Sequence, residues 1–299
     1  MEEDSFLQLR QATPVENTPS GNVDTSEGQL VGLWAQMAQL ARIFGEIHDL
    51  NETTVRQSVD QATLQAKVAE LAGKLDSWLI DLPSHMRMSP ANLASYASRG
   101  LGQTFAALHL GYHHYNQLLF YQFLAADCHP SVNNASEYAD TCKIHAASLC
   151  DLLYDCYKTP GCECLYIMIG HMLVVASTVH MHTLLFSAQE HQIAQARCRL
   201  ERNFETLMRL QQYWPNLELS LSRLRSFHNA CLTSMDTSFR MDQWMLRFLL
   251  EHGNVVGDKF LPDGSTTKAS SKAEQHDIES PSWMPSIQEW YVRAFQVAS

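Results

Sequence analysis

The sequence is short of positive charge. Its 299 residues hold 21 Lys and Arg against 32 Asp and Glu, a formal net charge of −11. The only tight basic grouping is Arg197, Arg199 and Arg202. Affinity for nucleic acid comes largely from neutralising phosphates, which takes a basic stripe, so direct specific DNA binding is not expected. Short basic runs that act as a nuclear address are missing too. The N-terminus, MEEDSFLQLR, has neither a basic n-region nor an apolar h-region and does not read as a secretory signal. The eight cysteines then read as thiols in a reducing compartment.

The signatures of common chemistries are also lacking. There is no Gly-x-Ser-x-Gly elbow. There is no Gly-rich phosphate loop followed by Lys-Ser/Thr, and no Gly-x-Gly-x₂-Gly after a strand. No cysteine is singled out as a nucleophile, and no acid–base pair can be named, so the chain is not expected to be an enzyme. No cofactor is implied. Runs that alternate apolar and polar residues are scarce, and the Asp263–Gly264 pair sits in a polar stretch rather than between two strands.

Helical periodicity is what the sequence does have. The hydrophobic fraction of 45% supports a sizeable core. Leu33, Met37, Leu40 and Phe44 form a first apolar stripe. Leu64, Val68, Leu71, Leu75, Trp78 and Leu82 recur at steps of three and four, with Asn51 or Thr53 as the candidate cap and Pro83 as the stop. A further stripe runs through Leu101, Phe105, Leu108, Tyr112, Tyr115, Leu119 and Phe123, and another through Tyr138, Cys142, Leu149, Leu153 and Cys156 to Pro160–Gly161. Ile193, Leu200, Phe204, Leu207, Leu210 and Trp214 precede Pro215. Leu217, Leu221, Leu224, Cys231 and Met235 follow it, and Trp244, Phe248 and Leu249 suggest one short helix more. The predicted fold is all-α, a multi-helix bundle. No fixed repeat period of about 34–47 residues is visible.

Residues 165–189 contain no Asp, Glu, Lys or Arg, which is about the length of a membrane span. They include His171, His180 and His182 as well as Ser177 and Thr178, and the longest strictly apolar runs are five residues each. No Lys or Arg cluster flanks them to set topology. Leu165–Phe186 is read as the most buried helix of the bundle, and no membrane association is expected. Residues 1–28 read as a loose polar leader, 29–252 as one helical domain, and 253–299 as a flexible linker with a C-terminal segment. That segment carries Trp283, Met284, Trp290, Tyr291 and Phe295 among Asp277, Glu279 and Glu289. It reads either as a docking peptide for a partner or as a strap folded back on the core.

Cys162 and Cys164, with His171 downstream, are the candidate metal ligands. One intervening residue turns the two thiols apart and no second pair follows, so a packing role is the favoured reading. The 14 histidines contain no His-Glu-x₂-His pattern and are read as buried and hydrogen-bonded. His109 and His113, four apart, share a helix face.

Four segments carry a family resemblance: GLWAQMAQLARIFGEIHDLN at 32–51, GLGQTFAALHLGYHHYNQLLFYQFL at 100–124, TPGCECLYIMIGHMLVVASTVHMHTLL at 159–185 and LMRLQQYWPNLEL at 207–219. In that order and spacing they resemble the regulatory middle homology region of fungal zinc-cluster transcription factors, over residues 30–252. The family's cysteine-rich zinc cluster is not among these residues, nor is the long basic helix that opens the family's regulatory region. The resemblance implies a transcriptional regulator or co-regulator of a metabolic or secondary-metabolite pathway, located in the nucleus or also in the cytoplasm. It would act without its own DNA-binding domain through a DNA-bound factor, a co-activator or a second copy, with a possible small-molecule effector. The competing expectation is a small-molecule-binding or catalytic helical protein that reuses the fold. Where the truncated region begins, the first two stripes are expected to leave an apolar face open.

Overall fold

Two helices without a single charged side chain organise the protein. The computed structural model describes residues 32–57, 59–124, 134–234 and 248–250. Among these there is no strand. The helices are α1 (Leu33–Arg56), α2 (Gln61–Asp81), α3 (Pro90–Ser98), α4 (Gly102–Phe120), α5 (Ala135–Lys158), α6 (Met168–Phe186), α7 (Glu190–Gln211) and α8 (Leu217–Ser234), with 3₁₀ turns at Ser84–Met86 and Tyr121–Phe123. The fold is an all-α multi-helix bundle.

α4 packs against α1, α2, α3 and α5, and α6 packs against α5, α7 and α8, while α4 and α6 also touch each other. Both are buried on nearly every side. α6 is long and apolar enough to cross a membrane by length and composition, yet most of it is covered by its neighbours. It starts at Met168 rather than at Leu165, because residues 162–165 run as extended coil after Gly161. The second charge-free run, 100–126, gives α4 the same all-round burial. A helix with no charged face gains nothing by keeping one side in water, so both are enclosed. The remaining helices are amphipathic and turn their polar faces outward.

Local signals set the helix ends. Asp60, not Asn51 or Thr53, caps α2: its Oδ2 accepts from the Thr63 backbone N–H at 3.0 Å and from the Thr63 hydroxyl at 2.9 Å. α1 continues past Asn51 to Arg56, and Thr53 and Thr54 donate their hydroxyls to carbonyls one turn back. Asn51 is instead buried, with Nδ2 donating to the Leu118 carbonyl at 3.0 Å, which ties α1 to α4. α3 has no apolar stripe of useful length. It is built by Ser89, whose Oγ accepts from the Asn92 N–H, and by Pro90 in the first turn. α7 stops at Gln211, so Trp214 lies beyond it and donates Nε1–H to the Leu165 carbonyl at 2.7 Å.

The first two stripes do not leave an apolar face open. Leu33, Leu40, Leu64, Leu71 and Trp78 are buried, and Met37 and Phe44 pack against the core. Aromatic contacts explain the closure: Phe44 stacks on Tyr115 with ring centroids 4.7 Å apart, and Trp78 on Tyr112 at 5.5 Å. The large apolar side chains most exposed are elsewhere, at Trp34, Ile80, Ile144 and Tyr213. Phe248 and Leu249 are buried, with Phe248 against Phe227. The leader at 1–28, the linker, Trp244, and Trp283, Met284, Trp290, Tyr291 and Phe295 lie outside the described residues.

Gly102 opens α4 where the 159–164 loop presses in. A Cβ there would stand 2.7 Å from the Gly161 carbonyl oxygen and 3.0 Å from the Ala97 Cα, both backbone atoms that cannot swing away. Gly102→Ala is therefore expected to destabilise the protein by about 1–3 kcal/mol. Equal denaturation midpoints for the variant and the parent would show that the loop is not pinned against α4.

Candidate functional site

The thiols at Cys162 and Cys164 are buried. Cys162 is fully buried, with Sγ facing the Leu93 carbonyl at 4.0 Å, in the contact that also requires Gly102. Cys164 donates its thiol to the Cys162 carbonyl at 3.4 Å, and Tyr157 donates its hydroxyl to the Cys164 carbonyl at 3.3 Å. The neighbour of Cys164 is Cys156 on α5, whose hydrogen bond to Cys164, together with burial, pushes its own thiol far above the ordinary range. Burial also raises the Cys162 thiol. Buried thiols held protonated are poor ligands and poor nucleophiles. His171 does not join them; its ring meets His114 edge-on at 5.3 Å. Among the described residues no group of three or more His, Cys, Asp or Glu side chains is arranged to hold a metal ion.

The densest polar constellation sits where α5, α6 and α7 meet. The Tyr154 hydroxyl on α5 donates to Asn203 Oδ1 on α7 at 2.6 Å, with the Arg199 carbonyl 3.0 Å away. Asn203 Nδ2 donates to Ser177 Oγ on α6 at 3.0 Å. Cys150 on α5 lies 3.5 Å from Nε2 of His180 on α6. Closer to α4, the Tyr121 hydroxyl and Thr178 Oγ1 are 2.7 Å apart, and Thr178 donates to the Val175 carbonyl. The partners from different elements stand 26 to 57 positions apart in the sequence.

Desolvation fixes the charge state here. It lowers His180 from 6.5 to about 3, with Arg199 nearby adding to the effect, and it raises Cys150 from 9.0 to about 12. The pair is therefore a neutral thiol beside a neutral imidazole. That is the reverse of the thiolate–imidazolium state a cysteine nucleophile uses.

Outside this network a cleft of about 380 Å³ opens between the three helices, lined among others by Lys143 and Ile144 of α5, His180 and Thr183 of α6, and Gln195 and Arg199 of α7. Arg199 is held at its rim by a two-pronged bond to Asp151, at 3.2 and 2.9 Å. The cleft is lined by Lys143 paired with Asp140, by Arg199 paired with Asp151, and by two amides, a hydroxyl and the apolar Ile144, Ala147 and Ala196, a mixture that suits reversible binding of a small polar molecule.

The same seam engages two of the three residues of the basic grouping seen in the sequence, Arg199 and Arg202. Arg199 pairs with Asp151, Arg202 lies over the Tyr154 ring at 5.3 Å, and Arg209 lies over Tyr157 at 5.5 Å. These side chains brace α7 on α5 and do not form a basic stripe for phosphates.

The histidines follow two patterns. His109 donates Nε2–H to the Met86 carbonyl at 2.9 Å, the satisfied core histidine expected from sequence. His113 on α4 instead meets His145 on α5, Nδ1 to Nδ1 at 2.9 Å. Neither that pair nor Cys150–His180 was marked in the sequence, because partners on different helices share no spacing rule.

The buried histidines make stability depend on pH. Burial lowers His109 and His182 to about 4 and His180 to about 3, against an unfolded value near 6.5. Their contribution is complete above about pH 6.5 and is lost as pH falls from there toward their folded values, because the unfolded chain binds the extra protons. Chemical denaturation between pH 7.5 and 4 is expected to show this loss. Replacing His180 by Leu should reduce the slope by up to about 1.4 kcal/mol per pH unit. A slope unchanged in His180→Leu would contradict burial of a neutral imidazole there.

No family model matches this chain, and neither does any curated protein or solved structure.

Proposed function

We propose that residues 29–252 form the regulatory domain of a transcriptional regulator or co-regulator similar to the fungal zinc-cluster factors, controlling a metabolic or secondary-metabolite pathway. The observation that carries this reading is the placement of the four segments that bear the resemblance. They fall on α1, on α4, on the 159–164 loop with α6, and on the junction of α7 with α8. Each of these elements packs on α4 or α6, so the segments make up one core rather than scattered matches. The surface supports the reading as well: the chain is acidic, and Arg199 and Arg202 of its basic grouping are engaged with Asp151 and Tyr154. The domain then reaches promoters through protein contacts, with a DNA-bound factor, a co-activator or a second copy as the partner, and works in the nucleus.

A second reading is a helical protein whose main task is to bind a small molecule, and the cleft lined by Lys143, His180 and Arg199 favours it. The two readings differ in one measurement. Fused to a neutral DNA-binding domain in a fungal host, the chain is expected to raise or lower a reporter relative to the DNA-binding domain alone. A stable, nuclear fusion that leaves the reporter unchanged would remove the regulatory reading and leave the binding protein.

A further inference from the structure

We propose that the groove between α1 and α2 is a binding site for a dipeptide, with its carboxylate on Arg42, its ammonium on Asp81 and its peptide bond on Gln36 and Trp78. The groove has a volume of about 630 Å³ and shares no lining residue with the cleft between α5, α6 and α7. Two of its lining side chains are buried yet lack partners. Gln36 is 7% exposed and Trp78 6%, and among the described residues neither the Gln36 amide nor the Trp78 Nε1–H makes a hydrogen bond. A buried polar group left without a bond is costly, and two of them lining one groove point to a partner that binds there.

The charged groups of the groove divide into engaged and free. Lys74 bonds Glu46 at 2.6 Å and Glu70 at 2.8 Å, and Lys67 bonds Glu70 at 3.0 Å, so that end is neutralised from within. Arg42 and Asp81 have no partner among the described residues, and they carry opposite signs. A simple anion or a simple cation would leave one of them unmatched, whereas a zwitterion answers both.

Spacing along the helices selects the length of that zwitterion. The contacts of Glu46 with Lys74 at 2.6 Å and with Lys67 at 3.9 Å set the register of α1 on α2, which run in opposite directions. Arg42, one turn before Glu46, is then level with the turn after Lys74. Asp81 lies one to two turns further on, roughly 5–10 Å at 1.5 Å per residue. An extended dipeptide spans about 7 Å. Its peptide bond has one N–H and one carbonyl. Gln36 offers an acceptor and donors, and Trp78 offers a donor. Gly73 keeps the groove clear between them. Glycine weakens a helix interior, and a Cβ at this position would meet nothing within 4 Å, so packing does not demand it.

The experiment is calorimetric titration of the purified full chain with glycyl-leucine. Its N-acetyl form, its C-terminal amide and 6-aminohexanoate, which has both charges but no peptide bond, are titrated in parallel. The parent is expected to take up one equivalent, and capping either terminus should weaken binding at least about tenfold. Arg42→Gln and Asp81→Asn should each have a similar effect. Gly73→Leu should abolish binding with Tm unchanged or higher, which separates a filled groove from lost folding. In ¹⁵N-labelled protein the Trp78 indole N–H signal, assigned through Trp78→Phe, should shift on saturation. No saturable uptake by the folded parent, equal binding of the capped forms, or parental affinity in both charge variants overturns the proposal. Binding of 6-aminohexanoate as tight as that of glycyl-leucine, or an indole signal that does not move, overturns the pairing of Gln36 and Trp78 with a peptide bond.

Discussion

Everything in this bundle follows from enclosing two helices, α4 and α6, that have no charged face. Their apolar surface can be removed from water only by neighbours on all sides, and that demand recruits α1, α2, α3, α5, α7 and α8. The same enclosure traps neutral polar groups: Asn116, Gln117 and His114 on α4, and Ser177, Thr178 and His180 on α6. A buried polar group without a partner costs on the order of 1–3 kcal/mol, which favours bonds from these groups to their own helix and to the sheath. Asn51 Nδ2 reaching the Leu118 carbonyl and Tyr121 meeting Thr178 are such answers.

The seam of α5, α6 and α7 shows how the requirement shapes the site. Tyr154, Asn203 and Ser177 close a hydrogen-bonded chain across three helices, and Arg199, Arg202 and Arg209 lie along its outer edge on Asp151, Tyr154 and Tyr157. Guanidinium groups are the side chains that do this well, since each can pair with a carboxylate or lie flat on a ring. The exposed ion pair itself contributes little stability. Its effect is to orient Arg199 at the rim of the cleft whose floor His180 reaches. Packing and recognition surface thus share residues, and a ligand in this cleft would touch the network that joins the three helices.

Desolvation also separates the two kinds of reactive group that the core contains. It holds Cys150 and Cys162 as thiols and His109, His180 and His182 as neutral imidazoles, while Cys156 is kept a thiol first by its hydrogen bond to Cys164 and then by burial. Protonated thiols are packing groups. Neutral imidazoles keep a lone pair, so among the buried polar groups it is the histidines that retain ligand chemistry at neutral pH.

By itself the sequence determined the class of fold and most of its elements. Steps of three and four residues located α2, α4, α5, α7 and α8, Pro83 and Pro215 marked two of their boundaries, and the charge-free run at 165–189 identified an enclosed helix. These features are local, and helix periodicity is a local property. The second charge-free run, at 100–126, was equally legible in the letters, as was the Ser89–Pro90 start of α3. Tertiary structure alone decided which residues meet: Asn51 with Leu118, Cys150 with His180, Cys156 with Cys164, and His113 with His145. It also decided that the stripes of α1 and α2 are covered by Tyr112 and Tyr115 rather than left open. Such pairings depend on how helices cross, and the crossing is set by side chains on both partners at once, so no spacing along one chain segment encodes it.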